Sequence, residues 1–293
     1  MRVAVAVLDR HARQLVLPEV GPAGQRRLRA ARVAVVGCGG LGAPVIAQLA
    51  AAGVGHLTLC DDDVVEGSNL NRQTLFGVND LGARKAEVAA AFVRRLDPLL
   101  AVDAVIERVT SLAAARLFST HDLVIDASDG FPTKYVLNDV AVELDRPLVH
   151  GAATGWSGQV LVVPGRRGPC LRCLFPSPPP PGSTPTCRTA GILAPTTGVV
   201  GSLQAAAALR LLLGVGDAAG RFTAVDVKEG ATRTLRFDNE STCPACGLHR
   251  TARGVRDDEA TDDDSEDEKD DSGCLLSPGA GPVTTTDRPD GER

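Results

Sequence analysis

Arg32-Val33-Ala34-Val35-Val36 runs straight into Gly37-Cys38-Gly39-Gly40-Leu41-Gly42. An Ala-rich segment follows, then a second apolar run, His56-Leu57-Thr58-Leu59-Cys60, which ends in Asp61-Asp62-Asp63. Ser68-Asn69-Leu70-Asn71-Arg72-Gln73 closes the stretch. The pattern reads as strand, glycine turn, helix, strand, acid cluster and polar loop. Glycines let the backbone turn sharply and approach a phosphate closely. The N–H groups opening the next helix favour an anion by about 0.3–1 kcal/mol from the dipole alone. Asp61 stands 22 positions after Gly39, at the end of the second strand, where an acid can hydrogen-bond ribose hydroxyls. A lone G-x-G-x-x-G match is weak. Strand before, helix after and acid downstream make this a nucleotide site, and leave open which nucleotide.

Outward from this stretch the alternation continues. Helices are predicted at 42–52, 81–96, 112–118 and 132–143, and strands at 101–105, 123–126 and 148–150. Strands alternating with helices predict an α/β fold with a doubly wound, mostly parallel, Rossmann-like sheet. In such a sheet ligands sit at the carboxyl ends of the strands, so Asp129, after 123–126, shares an edge with Asp61. Beyond Gly151 the pattern changes. A strand at 158–163, a long apolar helix at 195–213 and a late antiparallel pair at 224–227 and 232–237 are expected. Before the first strand, 9–31 reads as an arm that is helical over 25–30.

The bulk numbers exclude several classes. Aromatic residues make up only 3%, so the core must come from Val, Leu, Ala and Ile. The net charge of −5 belongs to a tail: 257–271 alone carries eleven carboxylates and one Lys, a charge of −10, leaving +5 elsewhere. So weakly basic a body offers nothing to nucleic acid. Residues 1–253 are read as one domain and 254–293 as a disordered acidic tail, with an interaction arm the less favoured reading. The run 3–8 is too short for a signal peptide, and Pro195, Thr196, Thr197, Ser202 and Gln204 break the uncharged stretch 189–209. A buried core helix, no membrane partner and a cytoplasmic protein are expected.

Eight cysteines include two C-x-x-C pairs, Cys170/Cys173 and Cys243/Cys246. Without a secretion signal this spacing argues for a closed, tetrahedral, structural zinc site, with a redox pair or free thiols as alternatives. Cys187 has no partner at ligand spacing. It lies beyond a proline-rich connection and beside Arg188, a cation that favours thiolate, so it reads as either a nucleophile or an unreactive loop cysteine. Asp61, Asp63, Asn69, Arg72, Gln73, Lys85 and Asp129 all follow predicted strand ends. Carboxylates can hold Mg²⁺, and Arg and Lys can neutralise charge at a phosphorus under attack. No G-x-x-x-x-G-K-[ST] loop is present, which excludes a P-loop enzyme.

Taken together, these residues resemble the ubiquitin-activating-like adenylyltransferases of sulfur-carrier proteins, especially those serving molybdopterin synthase and thiamine synthesis. The resemblance spans about 10–247. It rests on Arg13-Gln14, the glycine turn, Asp61-Asp62-Asp63, 68–73, Lys85, Asp126-Ala127-Ser128-Asp129, both cysteine pairs and 198–205. It implies that Gly40 approaches ATP and Asp61 holds its ribose. Ser68, Asn69, Leu70, Asn71, Arg72 and Lys85 would contact phosphates, and Asp129 would hold Mg²⁺. Arg13 would reach the ATP of another subunit, implying a homodimer. The paired cysteines would bind Zn²⁺, and Cys187 matches a loop cysteine that in some members joins covalent transfer after adenylation. The implied substrate is a small ubiquitin-like sulfur carrier ending in Gly-Gly. Residues 254–293 are too short for a rhodanese-like domain, so a separate sulfur-donor protein is expected. Two departures stand out: His11 replaces a Tyr, and Gly130 replaces the usual Asn beside the nucleotide, removing one polar contact. An NAD-dependent oxidoreductase shares the strand, glycine turn and acid, but 68–73 and Lys85 argue against it. A catalytically impaired dimeric scaffold is the other rival, with Gly130 its only support.

Overall fold

Strand β1 (Arg32–Val36) takes neighbours on both sides, β2 (His56–Cys60) and β4 (Leu123–Asp126), both parallel. Its residues alternate between two cores: Val33 and Val35 face one, Ala34 and Val36 the other. A strand buried on both faces needs a near-continuous apolar run, which is what 33–36 supplies. The computed structural model describes residues 10–166, 168–180, 183, 187–216 and 220–247. The tail at 254–293 and the proposed boundary at 253 lie outside them.

The sheet has eight strands in the order β3-β2-β1-β4-β5-β6-β7-β8. The additional strands are β3 (Ala101–Val105), β5 (Leu148–Thr154), β6 (Ser157–Val163), β7 (Arg221–Asp226) and β8 (Ala231–Arg236). The first five are parallel and the rest antiparallel. The predicted strand at 148–150 runs on to Thr154 because β6 folds back against it through Gly155, whose φ of +55° suits a tight turn.

Helices cover both faces. The short α1 (Ala12–Leu15) and α2 (Gly21–Ala30) form the arm. Helix α2 starts four residues before the predicted 25, with Pro22 inside its first turn, where a missing N–H costs nothing. On one face lie α3 (Gly42–Ala52), α4 (Lys85–Leu96) and α9 (Ala194–Leu213). On the other lie α5 (Ser111–Thr120) and α6 (Phe131–Glu143), joined by the short α7 (Leu171–Leu174). A further turn, α8 (Cys187–Ala190), precedes α9. Among the described helices α9 is the one long and apolar enough to cross a membrane. Here it packs on α3, β5 and β6. Gly201 lets it do so, since a Cβ there would stand 2.6 Å from the Leu41 carbonyl oxygen.

Candidate active site

Register builds the site. Val36 pairs with both Cys60 and Asp126, so the glycine turn, Asp61 and 127–130 leave the sheet along one edge. Gly37 has φ of +93°, and a Cβ there would lie 2.5 Å from the Ala127 carbonyl oxygen. A Cβ on Gly42 would lie 2.0 Å from the Gly37 carbonyl oxygen, so these two positions tolerate no side chain. The Asp61 carboxylate accepts the Cys38 N–H at 2.7 Å and the Asp63 N–H at 2.9 Å, tying the turn to β2. Burial raises the Asp61 carboxyl above its ordinary range, against the pull of Lys85 and the two N–H groups.

Lys85 is the first residue of α4, not a position inside a helix beginning at 81. Gly82 has φ of +79°, and Arg84 is extended and bridges antiparallel to Val64. That strand-like contact delays the helix and sets Lys85 beside Asp63, with Nζ donating to Oδ2 at 2.8 Å. Lys85 is only 6% exposed. Burial by itself would lower its pKa. Asp61, Asp63 and Asp129 outweigh burial and hold the ammonium above its ordinary value.

The polar loop folds as a 3-10 turn, Gly67–Asn69. Ser68 is exposed and Asn69 buried, with Asn69 Oδ1 accepting the Glu66 N–H at 3.1 Å. Leu70 packs on the core and Asn71 is exposed. Arg72 Nη1 donates to the Ser68 carbonyl at 2.9 Å and to Asn71 Oδ1 at 3.2 Å, which aims the guanidinium along the loop. Gly40 sits between Arg72 and Thr197: a Cβ there would be 2.9 Å from Thr197 Cγ2. Gln73 is buried over Gly39, and its Oε1 has no hydrogen-bond partner among the described residues. A buried amide oxygen left unpaired beside a glycine turn is what a bound polar ligand would satisfy.

Asp129 is exposed and makes no hydrogen bond or ion pair with any described residue. Gly130 caps α6 with φ −89° and ψ 132°, a conformation open to any residue, and nothing would crowd a Cβ there. Its glycine is therefore not a backbone requirement. The glycine turn that opens α3, the cations Arg72 and Lys85 and the carboxylate Asp129 fit a nucleoside triphosphate with a divalent ion.

Two predicted residues stand elsewhere. Arg13 is exposed on α1. Its neighbour Gln14 donates to the Ala52 carbonyl at 2.9 Å, at the C-terminal end of α3. That is the opposite end of an 11-residue helix, about 16 Å from the glycine turn. Cys187 opens α8, and its side chain lies outside what the structure describes.

The paired cysteines converge. The Sγ atoms of Cys170, Cys173, Cys243 and Cys246 all lie within 4.8 Å of one another. Four thiolates at about 2.3 Å from a tetrahedral zinc are about 3.8 Å apart, so the cluster fits that ion. Thiols this close share protons: contacts with Cys173 and Cys246 push Cys170 up, and contacts with Cys170 and Cys246 pull Cys173 down. Arg172, inside the first pair, forks onto Asp139 at 2.7 and 2.8 Å and stacks 4.7 Å from the Tyr135 ring. Tyr135 Oη donates to the Ser177 carbonyl at 2.7 Å, and Asn138 Oδ1 accepts the Leu171 N–H at 2.8 Å. Helix α6 thus grips the cysteine knuckle.

Sequence reading passed over Lys134, His150 and Gln204, all fully or nearly fully buried beneath the edge. The available signal was periodicity: Lys134 shares a helix stripe with Leu137, Asn138 and Ala141, all buried. A lysine on a buried stripe needs partners, and three groups supply them.

A mixed sheet with a glycine turn, two cations, an exposed carboxylate and a four-cysteine knuckle places the chain among α/β proteins with a polar edge suited to a nucleotide. The ThiF family model matches residues 11–245, and the chain belongs to that family. It is 48% identical over 266 residues to a Thermus thermophilus protein named sulfur carrier protein adenylyltransferase, covering 89% of this chain and 98% of that one. It is 49% identical over 242 residues to the SAMP-activating enzyme E1 of Haloferax volcanii, covering 82% and 89%. Against the Bos taurus adenylyltransferase and sulfurtransferase MOCS3 it is 44% identical, covering 92% of this chain but 60% of that relative. The crystal structure of E. coli MccB matches with a TM-score of 0.68 at 21% identity, over 76% of this chain and 66% of that one, a likeness of fold.

Proposed function

We propose that the protein is an ATP-dependent adenylyltransferase that activates the C-terminal Gly-Gly carboxylate of a small ubiquitin-like sulfur carrier. What supports this is that Lys85 and Asp129 interact electrostatically and Arg72 lies against Gly40, in a chain whose relatives carry such names. The carrier carboxylate attacks the α-phosphorus, pyrophosphate leaves, and an acyl-adenylate remains. Little covalent work is asked of the protein. It aligns the carboxylate and neutralises charge on the phosphates.

Gly40 lets the backbone meet the nucleotide, Asp61 faces the ribose, and 68–72 with Lys85 hold the phosphates. Asp129, with Gly130 beside it, would hold Mg²⁺, which supplies charge neutralisation on the leaving pyrophosphate. Arg13 cannot reach the turn of its own subunit from the far end of α3, which supports a homodimer in which it serves the partner's site. Zinc in the knuckle has no open position for substrate and is structural. Cys187 is assigned to transfer after adenylation, with sulfur delivered by a separate protein. ATP–pyrophosphate exchange that depends on a carrier ending in Gly-Gly tests the reading. Exchange should vanish in Asp129→Ala and persist in Cys187→Ser. Exchange without a carrier, or full exchange in Asp129→Ala, would refute it.

A further inference from the structure

We infer that Lys134 is a positioning residue that sets the Asp129 carboxylate for its ion. The inference rests on the reading of Asp129 given above. Asp129 makes no hydrogen bond or ion pair with a described residue, and Lys85 acts on it only through longer-range attraction, so its place is set chiefly by its backbone. The Lys134 side chain holds that backbone before Asp129, and the first turn of α6 holds it after. Lys134 Nζ donates to the Ser128 carbonyl at 2.7 Å, and its own N–H donates to the Gly130 carbonyl at 3.2 Å. The Ser128 carbonyl belongs to the planar peptide unit that ends at the Asp129 Cα, so fixing that oxygen fixes the plane from which the side chain springs.

The same ammonium donates to the Gly151 carbonyl at 2.8 Å and forms an ion pair with Asp126, its Nζ 3.5 Å from Oδ2. Lys134 is 1% exposed and Asp126 and His150 0%. Asp126 in turn accepts from Ser128 Oγ at 2.5 Å and from His150 Nδ1 at 2.6 Å. From the opposite face of the sheet, Gln204 Nε2 donates to the Asp126 carbonyl at 2.7 Å. The base of the loop is thus held from both helix layers, and among the described residues Lys134 reaches up to the peptide before Asp129. A group that only neutralised Asp126 would not need to bond two carbonyls on different elements. Preorganising a ligand's backbone is what lets an exposed carboxylate bind an ion without first ordering itself.

The test is Lys134→Met, with Lys134→Arg as the conservative variant. Two readouts are used: binding of a non-hydrolysable ATP analogue titrated with Mg²⁺ by calorimetry, and hydrogen exchange of amides 127–131. Lys134→Met should weaken the Mg²⁺-dependent binding about tenfold or more and speed exchange at 127–131, while zinc content stays at wild type. Lys134→Arg should restore both within about threefold. Wild-type Mg²⁺ dependence and wild-type exchange in Lys134→Met would overturn the assignment. If that variant does not fold, Asp126→Asn/Lys134→Met removes both buried charges together and faces the same two outcomes. Asp129→Ala separates the layers. If it keeps the Mg²⁺ dependence, the reading of Asp129 falls. If it loses the dependence while Lys134→Met keeps it, only the role of Lys134 falls.

Discussion

Helix α6 meets two regions built on opposite principles. Along its length it grips the cysteine knuckle, where the groups are satisfied: Arg172 forks onto Asp139, Tyr135 bonds a carbonyl, and four sulfurs face one another. At its N-terminus it meets the carboxyl edge of the sheet, where, among the described residues, Asp129 makes no hydrogen bond or ion pair and buried Gln73 Oε1 has no hydrogen-bond partner. Satisfied polar groups hold a fold together, and polar groups left unmade are free to meet a ligand. Damage to the knuckle should therefore be read in stability and damage to the edge in activity.

The widest gap between the two is reached through the metal. Stripping the proposed zinc with a chelator, or Cys173→Ser, should lower the midpoint of thermal unfolding by on the order of 10 °C or more. Asp129→Ala should leave that midpoint unmoved. Equal shifts in the two would break the comparison.

A smaller effect lies at the boundary between the regions. Burial would raise the Asp126 carboxyl, but Lys134 and the hydrogen bond from His150 outweigh it and hold it at about 2, below the ordinary 3.8. A depressed carboxyl contributes stability that is full above its unfolded pKa and is lost as pH falls through its folded one. Here the window runs from about pH 4 to about pH 2 and the size is on the order of 2 kcal/mol. Denaturant midpoints measured across that window should fall in the wild type and stay flatter in Asp126→Asn. That variant starts less stable because Lys134 loses its counter-charge.

The smallest effect sharpens the edge itself. Gly130→Asn fits the observed backbone and supplies a better helix cap, so stability should change by only a few tenths of a kcal/mol. If the restored amide reaches the nucleotide, the KM for ATP should fall about threefold, the worth of one neutral hydrogen bond. An unchanged KM would place Gly130 outside the nucleotide contacts.

Strands β1 to β4 and helix α3 were legible because each is an apolar run or stripe closed by glycine, proline or acid within a few residues. The start of α4 was not, because the pairing of Arg84 with Val64 joins residues 20 apart in sequence and no local propensity announces it. For the same reason β5 read short: its last four residues are strand only because β6 returns against them. At the site, types and spacing pointed to Asp61, Arg72, Lys85 and Asp129. They could not tell that Asp61 also braces the turn through Cys38, or that Arg13 lies at the far end of α3. Lys134 was hidden because a charged residue in a helix is ordinarily read as surface, and its partners Ser128, Gly151 and Asp126 meet only in the folded sheet.

The carboxyl edge of this sheet is proposed to adenylate a carrier, with Asp129 holding the ion. Carrier-dependent ATP–pyrophosphate exchange in Asp129→Ala, with its zinc content and unfolding midpoint measured alongside, tests it most directly. Exchange should fall to background while zinc content and midpoint stay at wild-type values. Exchange at the wild-type rate in a folded, zinc-loaded Asp129→Ala protein would contradict it.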